Sequence, residues 1–146
     1  MIGSSHAARA VLLAVIALAV SACATLKDPM HREDQFREQQ RSFSQYVRWG
    51  NFHGASAYVV EDQMDEFLAL APELTDVRFT DYEILRFELK DEMTRATIDV
   101  VYTGYRLSSP VSRTMRLHQE WTLSDGEWRV RLEMEPVRRA FGLAAK

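Results

Sequence analysis

The chain has 146 residues, 47% hydrophobic, 27% charged and 10% aromatic, the balance of a folded globular domain rather than a disordered segment. A formal charge of −3 supplies no general attraction for nucleic acid, and no nucleic-acid partner is expected. One Cys excludes an internal disulfide framework, and with only four His it does not make up a zinc site, so no metal and no cofactor are expected.

The amino terminus carries a short basic region at Arg9 and then an uninterrupted apolar run from Ala10 to Val20. A spanning helix needs roughly 20 apolar residues. This run is about half that length, the size of a signal-peptide hydrophobic region. It ends at Val20-Ser21-Ala22-Cys23. That order resembles the lipobox of bacterial lipoprotein precursors. The resemblance implies a diacylglycerol on the Cys23 thiol, cleavage after Ala22 and acylation of the new amino group; an ordinary cleaved signal and an uncleaved anchor are the alternatives. Ala24 stands where the family places Asp for inner-membrane retention, so the resemblance implies the outer membrane, or the cell membrane in an organism with one membrane. The expected organisation is a signal peptide at 1–22, lipidated Cys23 with a flexible tether to 33, an α+β domain at 34–136 and a frayed tail at 137–146.

From Glu33 to Trp49 the positions Phe36, Phe43, Tyr46, Val47 and Gly50 define the apolar stripe of an amphipathic helix, with Arg37, Glu38, Gln39, Arg41 and Ser44 on the other sides. Gly50-Asn51 stops it. A short helix from Asn51 to Val60 follows, with Asn51 as its cap, and a third from Glu61 carries Met64, Phe67, Leu68 and Leu70 up to Pro72.

After Thr75 the period changes to two. Val77 to Lys90 predicts a strand with Leu85, Phe87 and Leu89 on one face; Tyr82 and Ile84 fall out of phase, as one bulge or an edge region with both faces partly covered would explain. Thr94 to Tyr105 alternates Ala96, Ile98, Val100 and Tyr102 against polar residues. Val111 to Leu123 gives the cleanest alternation, with Val111, Met115, Leu117, Gln119, Trp121 and Leu123 inward. Asp125-Gly126 turns the chain into a last strand, Trp128 to Glu135, ended by Pro136. The predicted fold is α+β, N-terminal helices packed on a curved four-stranded antiparallel sheet.

Helices followed by a four-strand meander, an aromatic-rich first helix and the hairpin from Gln119-Glu120-Trp121 to Asp125-Gly126-Glu127-Trp128 resemble the nuclear transport factor 2-like superfamily, which includes ketosteroid isomerases, polyketide cyclases and many non-enzymatic domains. The resemblance spans Asp34 to Glu135. It implies a cone-shaped fold with a pocket between helices and sheet, and in the enzymes of the group an acidic or histidine base inside that cone. A fold of this kind does not fix a function.

Gln119 shares parity with Leu117 and Trp121 and is directed toward the core, where an unsatisfied amide costs about 1–3 kcal/mol. Tyr46, Tyr58 or Tyr102 could partner it, giving either a polar spot in a ligand pocket or a satisfied core glutamine. Asp81 and Glu83 share the parity of Phe79 and could project into the mouth of the cone or into water. His118 and Asp99 fall on polar strand faces. No catalytic residue is assigned. The alternating charges of Arg95, Asp99, Arg116, Glu120, Arg129, Arg131 and Glu133 make a solvated face or a docking surface for an envelope protein or a second copy. The expected protein is a lipid-anchored envelope lipoprotein whose periplasmic domain is a non-catalytic binding or assembly module. The alternative is a small-molecule binder or enzyme using the cone.

Overall fold

The computed structural model of the chain describes residues 29–143, so the signal region, Cys23 and most of the expected tether lie outside the described residues. Helix α1 (Pro29–Arg48) leads into α2 (Phe52–Ser56), a single 3₁₀ turn (Glu61–Gln63), α3 (Met64–Leu68) and α4 (Leu70–Glu73). Four strands follow, β1 (Val77–Lys90), β2 (Arg95–Arg106), β3 (Ser109–Ser124) and β4 (Glu127–Leu132), and a closing helix, α5 (Glu135–Phe141). The strands form one antiparallel sheet in the order β1-β2-β3-β4, and its concave face is covered by the helices. Among the described residues no helix is long and apolar enough to cross a membrane.

Helix α1 starts four residues before the expected Glu33 and takes in Pro29, which fits a first helical turn because its missing N–H would be unpaired there in any case. Its buried stripe is Phe36, Gln40, Phe43, Ser44 and Val47, at spacings of four, three, one and three. Phe36 and Phe43, two turns apart, hold Trp121 of β3 between them, edge to face at 5.6 and 5.7 Å. Burying such a side chain contributes roughly 1.5–3 kcal/mol, so this aromatic clasp is a principal tie between helix layer and sheet. Helix α1 runs the length of the sheet. Arg32 donates to the Glu92 carbonyl and Gln35 to the Gly126 carbonyl at the end where the β1–β2 and β3–β4 hairpins turn, and Trp49 emerges at the opposite end.

The middle helices are shorter than expected. Asn51 does cap α2, accepting from the Gly54 N–H, but the helix stops at Ser56. The chain then extends, and Val59 forms a parallel bridge to Val130, with Val60 N–H donating to the Val130 carbonyl and Val130 N–H to the Tyr58 carbonyl. Pro72 lies inside α4 instead of ending the helical region.

Strand β1 has the expected bounds but two register shifts, one between Phe79 and Asp81 and one between Ile84 and Arg86. Thr80 and Leu85 are the extra residues, and each reverses the parity downstream. Tyr82, Phe87 and Leu89 therefore pack toward the core, while Leu85, expected inward, is 49% exposed. The β1–β2 turn places Asp91, Glu92 and Met93 in succession in the left-handed region, at φ of 50, 54 and 63°.

The carboxyl terminus departs most from expectation. Strand β4 ends at Leu132, and Pro136 lies in the first turn of α5 rather than simply ending a strand. Val137, Arg138 and Phe141, expected in a frayed tail, are buried. Phe141 packs edge-on to Phe79 with ring centroids 5.6 Å apart. Arg106 donates two hydrogen bonds to the Phe141 carbonyl and a further pair to Asp76, and Arg138 approaches Glu73 at 3.6 Å. An amphipathic last helix thus seals one end of the cone.

Candidate functional site

The interior of the cone is filled. The space enclosed by Phe43, Phe52, Phe67, Met115, Leu132, Val137 and their apolar neighbours is about 20 Å³. That is room for roughly one water molecule, in surroundings with no polar side chain to hold it. Small-molecule pockets run to about 300–1,000 Å³.

Gln119, Tyr46, Tyr58 and Tyr102 do not converge on a pocket. Gln119 and Tyr102 are both fully buried. Gln119 Oε1 accepts from Trp121 Nε1 at 3.0 Å, and its Nε2 makes no hydrogen bond. Tyr102 donates to Ser44 Oγ at 3.1 Å, and Gln40 Nε2 donates to the same oxygen at 2.9 Å. The Gln119 amide stands beside the Tyr102 hydroxyl, so a polar seam runs Gln40–Ser44–Tyr102–Gln119–Trp121 through the apolar core. Burial pushes the Tyr102 hydroxyl far above its ordinary range, against the opposing influence of the Ser44 hydroxyl and the neighbouring Gln119 amide, and it remains protonated at any physiological pH. Tyr46 is 38% exposed, and its ring lies 6.3 Å from that of half-buried Tyr58, away from the seam.

Ser44 and Gln40 are the residues that sequence reasoning missed. Polarity alone places Ser44 on the outer side of α1, yet both follow Phe36, Phe43 and Val47 at helical spacing. The spacing carried the signal; the polar side chains concealed it.

The seam comes closest to solvent at Gln40, which lines a cavity of about 120 Å³ between α1 and β1 with Phe36, Tyr82, Ile84, Phe87 and Ile98. Arg37 covers its rim, its guanidinium 4.7 Å from the Phe87 ring centroid. No carboxylate lines this space. Asp81 and Glu83 are exposed, because the bulge at Thr80 turns them away from the cone. The seam can donate and accept hydrogen bonds, but it contains no group able to take a proton at neutral pH.

On the outer sheet face His118 Nδ1 lies 2.7 Å from Asp99 Oδ1, and Arg116 Nη2 2.8 Å from Asp99 Oδ2. The hydrogen bond with His118 holds the Asp99 carboxyl below the usual carboxylate range, outweighing the opposing effect of burial, with Arg116 adding to it. Glu120 stands 3.9 Å from His118 Nε2. Arg131 pairs with Asp62 of the 3₁₀ turn, and Arg129 with Glu127. Among the described residues no group of three His, Cys, Asp or Glu side chains is arranged to hold a metal.

No family model matches the sequence, and no curated protein matches it. Several solved structures share its fold. A candidate isomerase from Bacillus subtilis is 10% identical, with a TM-score of 0.56 over 77% of this chain and 96% of that one. An NTF2-like protein from Cytophaga hutchinsonii is 12% identical, with a TM-score of 0.52 over 67% and 91%. A candidate polyketide cyclase from Xanthomonas campestris is 14% identical, with a TM-score of 0.51 over 75% and 98%. At these identities the likeness defines the fold alone. The chain has the cone-shaped, nuclear transport factor 2-like fold, helices on an open four-stranded antiparallel sheet.

Proposed function

We propose that the chain is a lipid-anchored envelope protein, fastened through Cys23 to the periplasmic side of the outer membrane, whose folded body is a non-catalytic binding or assembly module. The filled cone carries the second half of this reading: a site of about 20 Å³ without a base cannot admit and turn over a substrate. The anchor rests on the apolar run from Ala10 to Val20 and on Val20-Ser21-Ala22-Cys23. Each buried CH₂ adds about 0.8 kcal/mol, so one acyl chain holds marginally and two or three hold stably. The alternative, a small-molecule site, has its support in the 120 Å³ cavity beside Gln40, which suits a ligand of very few atoms.

The partner is another envelope protein or a second copy of the chain. The outer sheet face is available to it, although the pairs of Asp99 with Arg116 and His118, of Arg131 with Asp62 and of Arg129 with Glu127 already match much of that face's charge internally. The test is intact-mass analysis of the protein extracted from its native membrane, beside a Cys23→Ala variant. The expected product begins at Cys23 and carries the mass of two or three acyl chains, and the variant loses them. A product that retains Met1, or an unmodified Cys23, would overturn the anchor. Turnover of a small substrate, abolished by changing Gln40 or Tyr102 with the fold intact, would overturn the non-catalytic reading.

A further inference from the structure

The end of the molecule opposite the β1–β2 and β3–β4 turns holds an open groove of about 810 Å³, outside the cone, between the end of α1, α4 and the start of β1. Its floor is apolar, with Phe52, Leu74, Val77 and Phe79. Its rim carries Arg48, Trp49 and Arg78, and no Asp or Glu lines it. Trp49 is 76% exposed, the most exposed of the large apolar side chains among the described residues, whereas Trp121 and Trp128 are buried. Arg48 lies over the Trp49 ring at 5.5 Å from its centroid. Arg78 is fixed by Nη1 donating to the Thr75 and Val77 carbonyls, which holds its fork rigid. Neither guanidinium has a carboxylate partner among the described residues. The β2–β3 turn adjoins this end, since Leu107 N–H donates to the Asp76 carbonyl, and Leu107 is 58% exposed.

We infer that this groove binds an extended, acidic segment of another envelope protein. Exposed Trp and Arg together are the residue types that dominate binding energy at interfaces, and arginine forks recognise carboxylates in a two-point geometry. An extended chain sends successive side chains to opposite sides. One set can cover the apolar floor while Asp and Glu of the other set meet Arg48 and Arg78. A small anion would leave the floor uncovered, and a flat bilayer cannot enter a concavity. This inference rests on the reading of the body as a binding module and is independent of lipid attachment.

The test is photocrosslinking in living cells with p-benzoylphenylalanine at exposed Thr75, which lines the groove, and at exposed Thr122 as a control. The full-length chain is used. The expected adduct at 75 maps to a segment rich in Asp and Glu on a different protein, and it is absent at 122. Its yield falls roughly tenfold or more in Arg48→Glu/Arg78→Glu and in Trp49→Ala, and is largely kept in Trp49→Phe. All the changed side chains line the open groove or its rim, and an unaltered melting temperature identifies variants that remain folded; Arg48→Gln/Arg78→Gln serves if charge reversal disturbs the fold. No adduct, an adduct to phospholipid, to a second copy or to a segment lacking acidic residues, or a yield indifferent to the arginines would overturn the inference. A lipidated protein giving no acidic adduct would refute the groove alone.

Discussion

Gln119 is a polar side chain with no exposure in the most regular strand of the sheet, half satisfied by Trp121 and otherwise set beside Tyr102. Replacing it by Ala removes the acceptor for the Trp121 N–H and leaves a void, so a loss of about 2–4 kcal/mol is expected from urea unfolding. Gln119→Leu keeps most of the volume and deletes the unpaired Nε2 along with the acceptor. Its cost is expected to be smaller, about 1–2 kcal/mol, and a Leu variant less stable than the Ala variant would contradict this account. Asp99 offers a second measurement at this scale. Its carboxyl is held low when folded, so its contribution is fully present above the ordinary carboxylate range and is lost as pH falls through the depressed folded value. Asp99→Asn is therefore expected to cost about 0.2–1 kcal/mol near neutral pH. The gap to the unaltered protein should close in strongly acidic solution; a gap constant with pH would remove the assigned role of the charge. The direction of Gln119 toward the core was legible because β3 alternates without interruption, whereas Ser44 was hidden by its own polarity. Parity with Phe79 leaves Asp81 and Glu83 between the cone and water, and the structure sets them in water because a one-residue bulge inverts every side chain beyond it.

Among the elements, the strands were the most legible. The expected Val77 to Lys90 coincides with β1, and the other strand boundaries differ by one to three residues. A period of two is a local property, readable from neighbours alone. Helix α5 was not, since its reason for existing is tertiary: Phe141 has Phe79 to pack on, and the backbone around it is tied to Arg106. Phe141→Ala is expected to lower stability by about 3 kcal/mol, read as a shift in urea midpoint at unchanged slope. A change near zero would restore the frayed-tail reading. The same helix explains why the cone is closed, for Met134 and Val137 occupy space that would otherwise open to solvent. The short helices between residues 52 and 73 were overestimated in length for a related reason. The chain leaves helical geometry at Ser56 to let Val59 meet Val130, a partner seventy-one positions away that no local pattern announces.

At the scale of the whole molecule, the fold class was legible and the contents of the cone were not. Periodicity says which residues face inward; only packing says whether they leave room. Here Phe36, Phe43, Trp121 and Trp128 meet at centroid distances of 5.0–5.7 Å, and the inward faces use up the space between them. A sequence with the same alternation and smaller side chains at these positions would give the same outline around an open cavity. Function in this scaffold is therefore decided by side-chain volume more than by topology.

The two flanks of the sheet are treated differently. Along β4 the segment at Val59 and Val60 occupies hydrogen-bonding positions beside Val130, so that border is plugged. Among the described residues no strand lies beyond β1, and the surplus residues Thr80 and Leu85 keep that border crooked. Straightness is what lets one sheet zip onto another. Deleting Leu85 should return Ile84, Arg86 and Phe87 to uninterrupted register and yield a protein that folds yet forms dimers and larger oligomers in sedimentation experiments. Crowded side by side, such molecules would coalesce. The irregularity that obscured the sequence pattern doubles as a guard against that outcome.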